Sequence, residues 1–165
     1  MTSPSGDAAN VTVFVAVATA DAFAVFTQEI DAWWRQGPRF RIGGRHPGRL
    51  AFEPGVGGVL VETVELPHAT RRFEVGRITA WEPPVRLAFE WRGVNFGAGE
   101  KTVVEVVFRA QGEGTLVTVR HHGWSTLRDD HPARHGLTGA AFSRMIGMWW
   151  ADQLTALREF ASGSR

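Results

Sequence analysis

Apolar and polar residues alternate over short stretches through most of the chain, and only two segments lengthen that spacing to the period of a helix. The run VTVFVAV at Val11 to Val17, dense in β-branched residues, predicts an opening strand. In the TADAFAVFTQEIDAWW that follows, Ala22, Phe23, Phe26 and Ile30 recur at helical spacing, with Thr19 or Asp21 placed to cap the start. One or two short helices are predicted there. From Gln36 to Pro54 the pattern is broken by GP, GG and HPG, an irregular excursion that ends in a short strand near Leu50 to Phe52. Five more strands are predicted around Val59 to Leu66, Arg72 to Trp81, Val85 to Trp91, Thr102 to Ala110 and Thr115 to His122. Short turns between them, such as Gln111 to Gly114, favour antiparallel neighbours.

Alternation also assigns faces. Leu87, Phe89 and Trp91 share one side of their strand, as do Val104, Val106 and Phe108 on the next, so one face of the sheet is apolar. The last element, about His135 to Ala161, carries Phe142, Ile146, Trp150, Leu154 and Leu157 along one helical stripe. Gly139 and Gly147 inside it each cost helix propensity, which predicts close packing at those positions. An apolar sheet face must be covered, and this is the element long enough to cover it. The predicted class is α+β: a curved antiparallel sheet wrapped around a long C-terminal helix, with short helices after the first strand.

A length of 165 residues suits one domain, expected over residues 8–162 with loose ends at 1–7 and 163–165. No apolar run reaches the roughly 20 residues that cross a bilayer, and the polar start MTSPSGDAAN does not read as a secretory signal, so a cytoplasmic location is expected. Cysteine is missing, which removes disulfides, thiolate nucleophiles and Cys-based zinc sites. A net charge of +1 gives no reason to expect nucleic acid. The charge is nevertheless uneven. Arg35, Arg39, Arg41, Arg45 and Arg49 cluster with His46 in the irregular excursion, read as a solvated loop, with an anion or partner site as the second reading. Seven tryptophans and no tyrosine suggest a large core or a cavity wall rather than a polar cleft.

The order of elements and the wording of AFAVFTQEIDAWW, FEPGVGG, GRITAWEPPVRLAFEW, GEGTLVTVRHHGW and WADQLTAL resemble the START-like (SRPBCC) helix-grip superfamily. Within it, the chain is similar to the branch of the C-terminal domain of the activator of heat-shock protein 90 ATPase. The resemblance implies a helix-grip fold with an apolar cavity between sheet and helix. Members include ligand carriers, polyketide cyclases and aromatases, and stress-response regulators, so it implies no single activity. The family often has Thr-Asp-Pro after its first helix, where this chain has Thr27-Gln28-Glu29.

The expected function is binding of a small apolar or amphiphilic molecule, without metal or other cofactor. The cavity is expected to be lined by Trp34, Phe89, Trp91, Phe108 and His121, and closed by Ile146 and Trp150. Trp33 and Trp34, beside the basic loop, read as core anchors, with a Trp-Arg gate for an anionic amphiphile as the second reading. His121 and His122 are adjacent on a strand, so they face opposite sides and are poorly placed to chelate one ion. His121 shares the inward parity of Val117 and Val119, and Glu62 that of Leu60 and Val64. If paired, they are the candidate acid and base of a cyclase or aromatase. A third class, a protein-interaction or co-chaperone-like module, would show an exposed apolar patch over a filled interior. Ser125 and Ser143 stand in no nucleophile motif, and the GVGG at Gly55 to Gly58 lacks the Lys-Ser/Thr of a phosphate loop.

Overall fold

A computed structural model describes residues 7–93 and 95–163. Strand β1 (Ala9–Val15) leads into helices α1 (Thr19–Gln28) and α2 (Ile30–Trp33), and six strands follow. These are β2 (Gly48–Phe52), β3 (Val59–Leu66), β4 (Ala69–Glu82), β5 (Arg86–Trp91), β6 (Thr102–Gln111) and β7 (Gly114–His122). The chain closes with the long helix α3 (Gly139–Gly163). The strands form one seven-stranded sheet in the order β1-β7-β6-β5-β4-β3-β2, antiparallel throughout, curled into a half-barrel. It is the α+β helix-grip architecture that the sequence pattern predicts. No described helix is long and apolar enough to cross a membrane.

The curl has a local cause. β4 shifts register against β3 between Leu60 and Val61, and against β5 between Ile78 and Ala80, and bulges of this kind bend a strand. Between the two lies Gly76, where a Cβ would stand 1.4 Å from the carbonyl oxygen of Glu90. Only glycine allows β4 and β5 to approach that closely.

Helix α3 begins later than its periodicity predicts. His135 (φ 50) and Gly136 (φ 78) both adopt the left-handed conformation after a 3-10 turn at Pro132–Arg134, so the helix cannot extend back to His135. Gly139 (φ 59) therefore opens the helix instead of interrupting it. Close packing does not explain Gly147 either, since a Cβ there would meet nothing within 4 Å. The predicted stripe is turned inward: Trp150, Leu154 and Leu157 are fully buried in the core against the sheet, and Phe142 is fully buried beneath Trp124. Ile146 is only half-buried, which marks where helix and sheet separate.

Of the ends expected to be loose, residues 1–6 and 164–165 lie outside the described residues. Asp7 accepts hydrogen bonds from the Trp124 and Ser125 backbone N–H groups, and Gly163 still belongs to α3.

The interior divides in two. A main cluster joins Phe23, Phe26 and Ile30 of the early helices to Leu87, Phe89, Val104, Val106 and Phe108 of the sheet and to Trp150, Leu154 and Leu157 of α3. A smaller cluster of Trp124, Leu127 and Phe142, flanked by Phe96 and Met145, lies under the loops at the other end. Ile146 packs against both.

Candidate functional site

Between these clusters lies a cavity of about 340 Å³. Its sheet wall is built by Leu60 and Glu62 of β3, Val75 of β4, Trp91 of β5 and His121 of β7. Met145, Ile146 and Trp149 of α3 close the opposite side. Loop residues complete it: Trp34 and Pro38 to Ile42 on one flank, Phe96 and Trp124 on the other.

Two indoles hold the first flank. Trp34 follows α2 in an extended conformation, and its Nε1–H donates to the carbonyl of Phe40 at 2.9 Å. Trp149 donates in the same way to the carbonyl of Arg39 at 2.8 Å. Their rings lie 5.6 Å apart at 71°, and Trp91 joins them at 6.0 Å from Trp34 and 5.8 Å from Trp149. Offset and edge-to-face pairs of this kind add to the apolar area they bury.

The basic loop is solvated at Arg39, Arg45, His46 and Arg49, as its sequence reading expects, but it is pinned from within at Arg41. Arg41 is only 6% exposed. Its guanidinium donates to the Asp31 carboxylate at 2.6 Å and to the carbonyls of Asp31, Trp34 and Arg35. A charge so placed is tolerated because its donors are used. Glu62 holds the next turn, its carboxylate accepting from the backbone N–H groups of Ile42 (2.9 Å) and Gly43 (2.6 Å). A Cβ on Gly43 would crowd Val64 at 2.9 Å and Glu62 at 3.2 Å, so glycine is what lets the loop reach the carboxylate. Arg45, His46 and Arg49 remain exposed.

His121 and His122 face opposite sides, as strand geometry requires. His122 lies outside with Glu105, 2.8 Å away, while His121 is 2% exposed inside. The Trp150 indole N–H donates to His121 Nδ1 at 3.0 Å, so Nδ1 is the acceptor and Nε2 carries the proton, donated to the Thr102 hydroxyl at 2.7 Å. Burial without a counter-charge, with a smaller contribution from neighbouring His122, lowers the His121 pKa to about 3. The imidazole is neutral, with both nitrogens occupied. Glu62 also faces the cavity, but its hydrogen bonds go to the loop and none joins it to His121.

The other flank is tied by His131, which accepts from the Ala133 N–H at Nδ1 and donates from Nε2 to Glu100 at 2.8 Å. The Gly97 backbone N–H also reaches Glu100, at 2.6 Å. That N–H and, after it, His131 hold the Glu100 carboxyl below the ordinary glutamate range. The two loops of this lip are thereby joined.

Of the residues expected to line the cavity, Trp34, Trp91, His121 and Ile146 are on its wall. Phe89, Phe108 and Trp150 stand elsewhere. Phe89 packs edge-to-face on Phe52 at 5.4 Å, Phe108 meets Phe23 and Phe26 at 5.1 and 5.8 Å, and Trp150 is sealed behind Trp34 and His121. They share the inward parity but lie where Phe52, α1 or the core of α3 fills the space. Trp124, Trp149, Phe96 and Arg41 enter the wall unpredicted. Trp149 is one step off the helical stripe, and Trp124 is brought in by Gly123, whose left-handed φ of 91 ends β7 and turns the chain inward.

The sequence matches the family model described as Activator of Hsp90 ATPase homolog 1-like protein over residues 7–156. Three solved structures share the fold at low identity. DynU16, a protein from the dynemicin biosynthetic locus, is 19% identical with a TM-score of 0.63, aligning over 96% of this chain but only 48% of its own. CalU16 from Micromonospora echinospora is 18% identical with a TM-score of 0.56, over 95% of this chain and 77% of that one. The Aha1 dimer from Colwellia psychrerythraea is 13% identical with a TM-score of 0.61, over 93% and 95%. No curated protein matches the sequence.

Proposed function

We propose, for a chain that belongs to the Activator of Hsp90 ATPase homolog 1-like family, that its activity is the binding of a small, largely apolar molecule between the sheet and α3. The observation that carries this reading is the cavity of about 340 Å³ walled by Trp34, Trp91, Trp149, Phe96 and Ile146. A space of that size, apolar with a few polar groups, suits a compact ring system. Arg92 at its rim donates to the Gly97 carbonyl at 2.8 Å and has no carboxylate partner among the described residues. An amphiphile with a neutral or anionic head therefore suits the rim better than a cationic one.

In this reading His121 and Glu62 are wall and scaffold. A neutral imidazole whose lone pair is taken by Trp150, and a carboxylate holding two backbone donors, are poorly placed to transfer protons, so no observation favours the cyclase alternative. The activator activity in the family description is not transferred, because likeness at 13–19% identity carries the fold alone.

The test is titration with N-phenyl-1-naphthylamine, an apolar fluorophore. Saturable, stoichiometric enhancement of probe emission is expected for the wild-type protein, and at least a tenfold weakening for Ile146→Trp, which fills the space from the helix side. Absence of saturable binding, or equal binding by the filled variant, overturns the proposal.

A further inference from the structure

The charged side chains of the cavity divide by what they already hold. On the loop flank each is engaged. Arg41 spends its guanidinium on the Asp31 carboxylate and three backbone carbonyls, and Glu62, 3% exposed, takes the Ile42 and Gly43 N–H groups. Arg39 stands at the mouth but is paired with Asp152 at 2.8 Å and lies over the Phe40 ring at 5.1 Å. On the opposite lip Arg92 and His135 both belong to the cavity lining, both are exposed, and neither has a carboxylate partner among the described residues. A headgroup at the mouth can therefore meet these two side chains without entering the packed interior.

The lip is held in a way that leaves Arg92 unpaired. Its Nη2 donates to the Gly97 carbonyl at 2.8 Å, which anchors the guanidinium, and its other N–H groups have no acceptor among the described residues. The carboxylate of the same lip, Glu100, is already taken by the Gly97 N–H at 2.6 Å, His131 Nε2 at 2.8 Å and Arg128 at 3.6 Å. The bond from His131 to Glu100 ties the loop that follows Arg92 to the turn that ends at His135, whose own N–H donates to the Pro132 carbonyl at 3.1 Å. Glu62, the acid of the lining, sits on β3, two strands from β5 and so roughly 10 Å across the sheet. An unpaired cation at the mouth of an apolar cavity favours an anion there.

We infer that the cavity selects an organic acid, with an apolar ring body against Trp34, Trp91 and Ile146 and a single anionic oxygen head held at the mouth by Arg92 and His135. This rests on the ligand-binding reading above and adds the charge and the orientation of the ligand.

The test uses a matched pair of fluorophores, N-phenyl-1-naphthylamine and 8-anilinonaphthalene-1-sulfonate, which differ by one sulfonate. Both are expected to bind the wild-type protein, and both to weaken in Ile146→Trp, which fills the shared space. Arg92→Gln keeps a polar side chain at an exposed position and removes the charge; it should weaken the sulfonate about tenfold and leave the neutral probe within about twofold. His135→Gly removes the imidazole at a left-handed position that glycine adopts without strain, and should weaken the sulfonate about threefold. Binding of the neutral probe by the same variants reports that they are folded. Added salt, which needs no variant, should weaken the sulfonate and spare the neutral probe. If the neutral probe does not bind the wild-type protein, the ligand-binding reading fails and this inference falls with it. If the neutral probe binds but the sulfonate does not, or if Arg92→Gln or salt affects the two probes alike, the ligand-binding reading stands and the preference for an acid is overturned. Sulfonate binding that survives in Ile146→Trp places the anion on another basic surface and likewise overturns it.

Discussion

The two ends of the concave sheet face use the same kinds of side chain to opposite effect. At one end Phe23 and Phe26 of α1 drive into Phe108, Phe52 and Trp81, and Leu154, Leu157 and Ala161 of α3 are each 1% exposed. At the other, Trp34, Trp91, Trp149 and Phe96 surround about 340 Å³ of space, and Ile146 and Trp149 of the same helix are only half-buried. Hydrophobicity does not separate them. The difference is what covers the sheet: a helix satisfies its own backbone and can press an apolar stripe inward, whereas the loops at the open end must spend Arg41, Glu62, His131 and two indoles on holding their backbones. Those fixed loops stand off the sheet, and the gap is the result.

The sharpest way to break the comparison is truncation at each end. Phe26→Ala removes a fully buried ring at the closed end and should cost about 3–5 kcal/mol. Trp149→Ala removes a larger but half-buried ring at the open end and should cost about 1–2 kcal/mol, because water already reaches it. Urea unfolding of both variants measures the two losses. Equal costs would mean the open end is packed as tightly as the closed one.

His121 supplies a second, pH-dependent probe of the boundary between the ends. Its folded-state pKa, about 3, lies below the ordinary 6.5, so on acidification the unfolded chain takes up the proton first. Its contribution is complete above about pH 6.5 and is lost as pH falls toward 3, at roughly 1.4 kcal/mol per unit. Glu105, held below 4.5 first by its hydrogen bond with Arg86, loses its contribution only in the more acidic window. Unfolding free energy measured between pH 6.5 and 5 should therefore fall in the wild-type protein. His121→Phe, though less stable overall because Trp150 and Thr102 lose a partner, should flatten that slope. A slope unchanged by the substitution would show that the imidazole is not kept neutral.

Much of this was legible in the sequence, and the gaps have physical reasons. Strand alternation and the stripe from Phe142 to Leu157 identify which residues point inward, and the sheet and helix follow from them. Alternation does not say how far along the sheet a residue stands, so Phe89 and Phe108 carry the same inward signal as Trp91 and yet pack away from the cavity, Phe89 on Phe52 and Phe108 on Phe23 of α1. A run of arginines reads as solvated because the partners of Arg41 are mainly backbone carbonyls, which leave no mark in sequence. The helix starts later than its periodicity predicts for a related reason: His135 takes a left-handed conformation that few residues other than glycine adopt.

The smallest expected effect concerns Gly147, which sits in α3 between Ile146 and Met148 at the open end. Glycine in a helix interior costs about 0.5–1 kcal/mol relative to alanine through the backbone freedom it loses on folding. At two other positions glycine is enforced by contact with backbone: a Cβ at Gly76 would strike the Glu90 carbonyl at 1.4 Å, and one at Gly114 the Val15 carbonyl at 2.6 Å. At Gly147 it would meet nothing within 4 Å and no left-handed backbone demands glycine, so Gly147→Ala should stabilise the protein by about 0.5–1 kcal/mol. Thermal unfolding measures that gain, and N-phenyl-1-naphthylamine binding measured on the same variant should be unchanged. A stabilised variant that binds the probe normally places Gly147 outside the ligand's reach. A loss of binding alongside the gain in stability would mean instead that the open end needs a helix able to yield at this residue, and the contrast between the two ends would then extend from packing to motion.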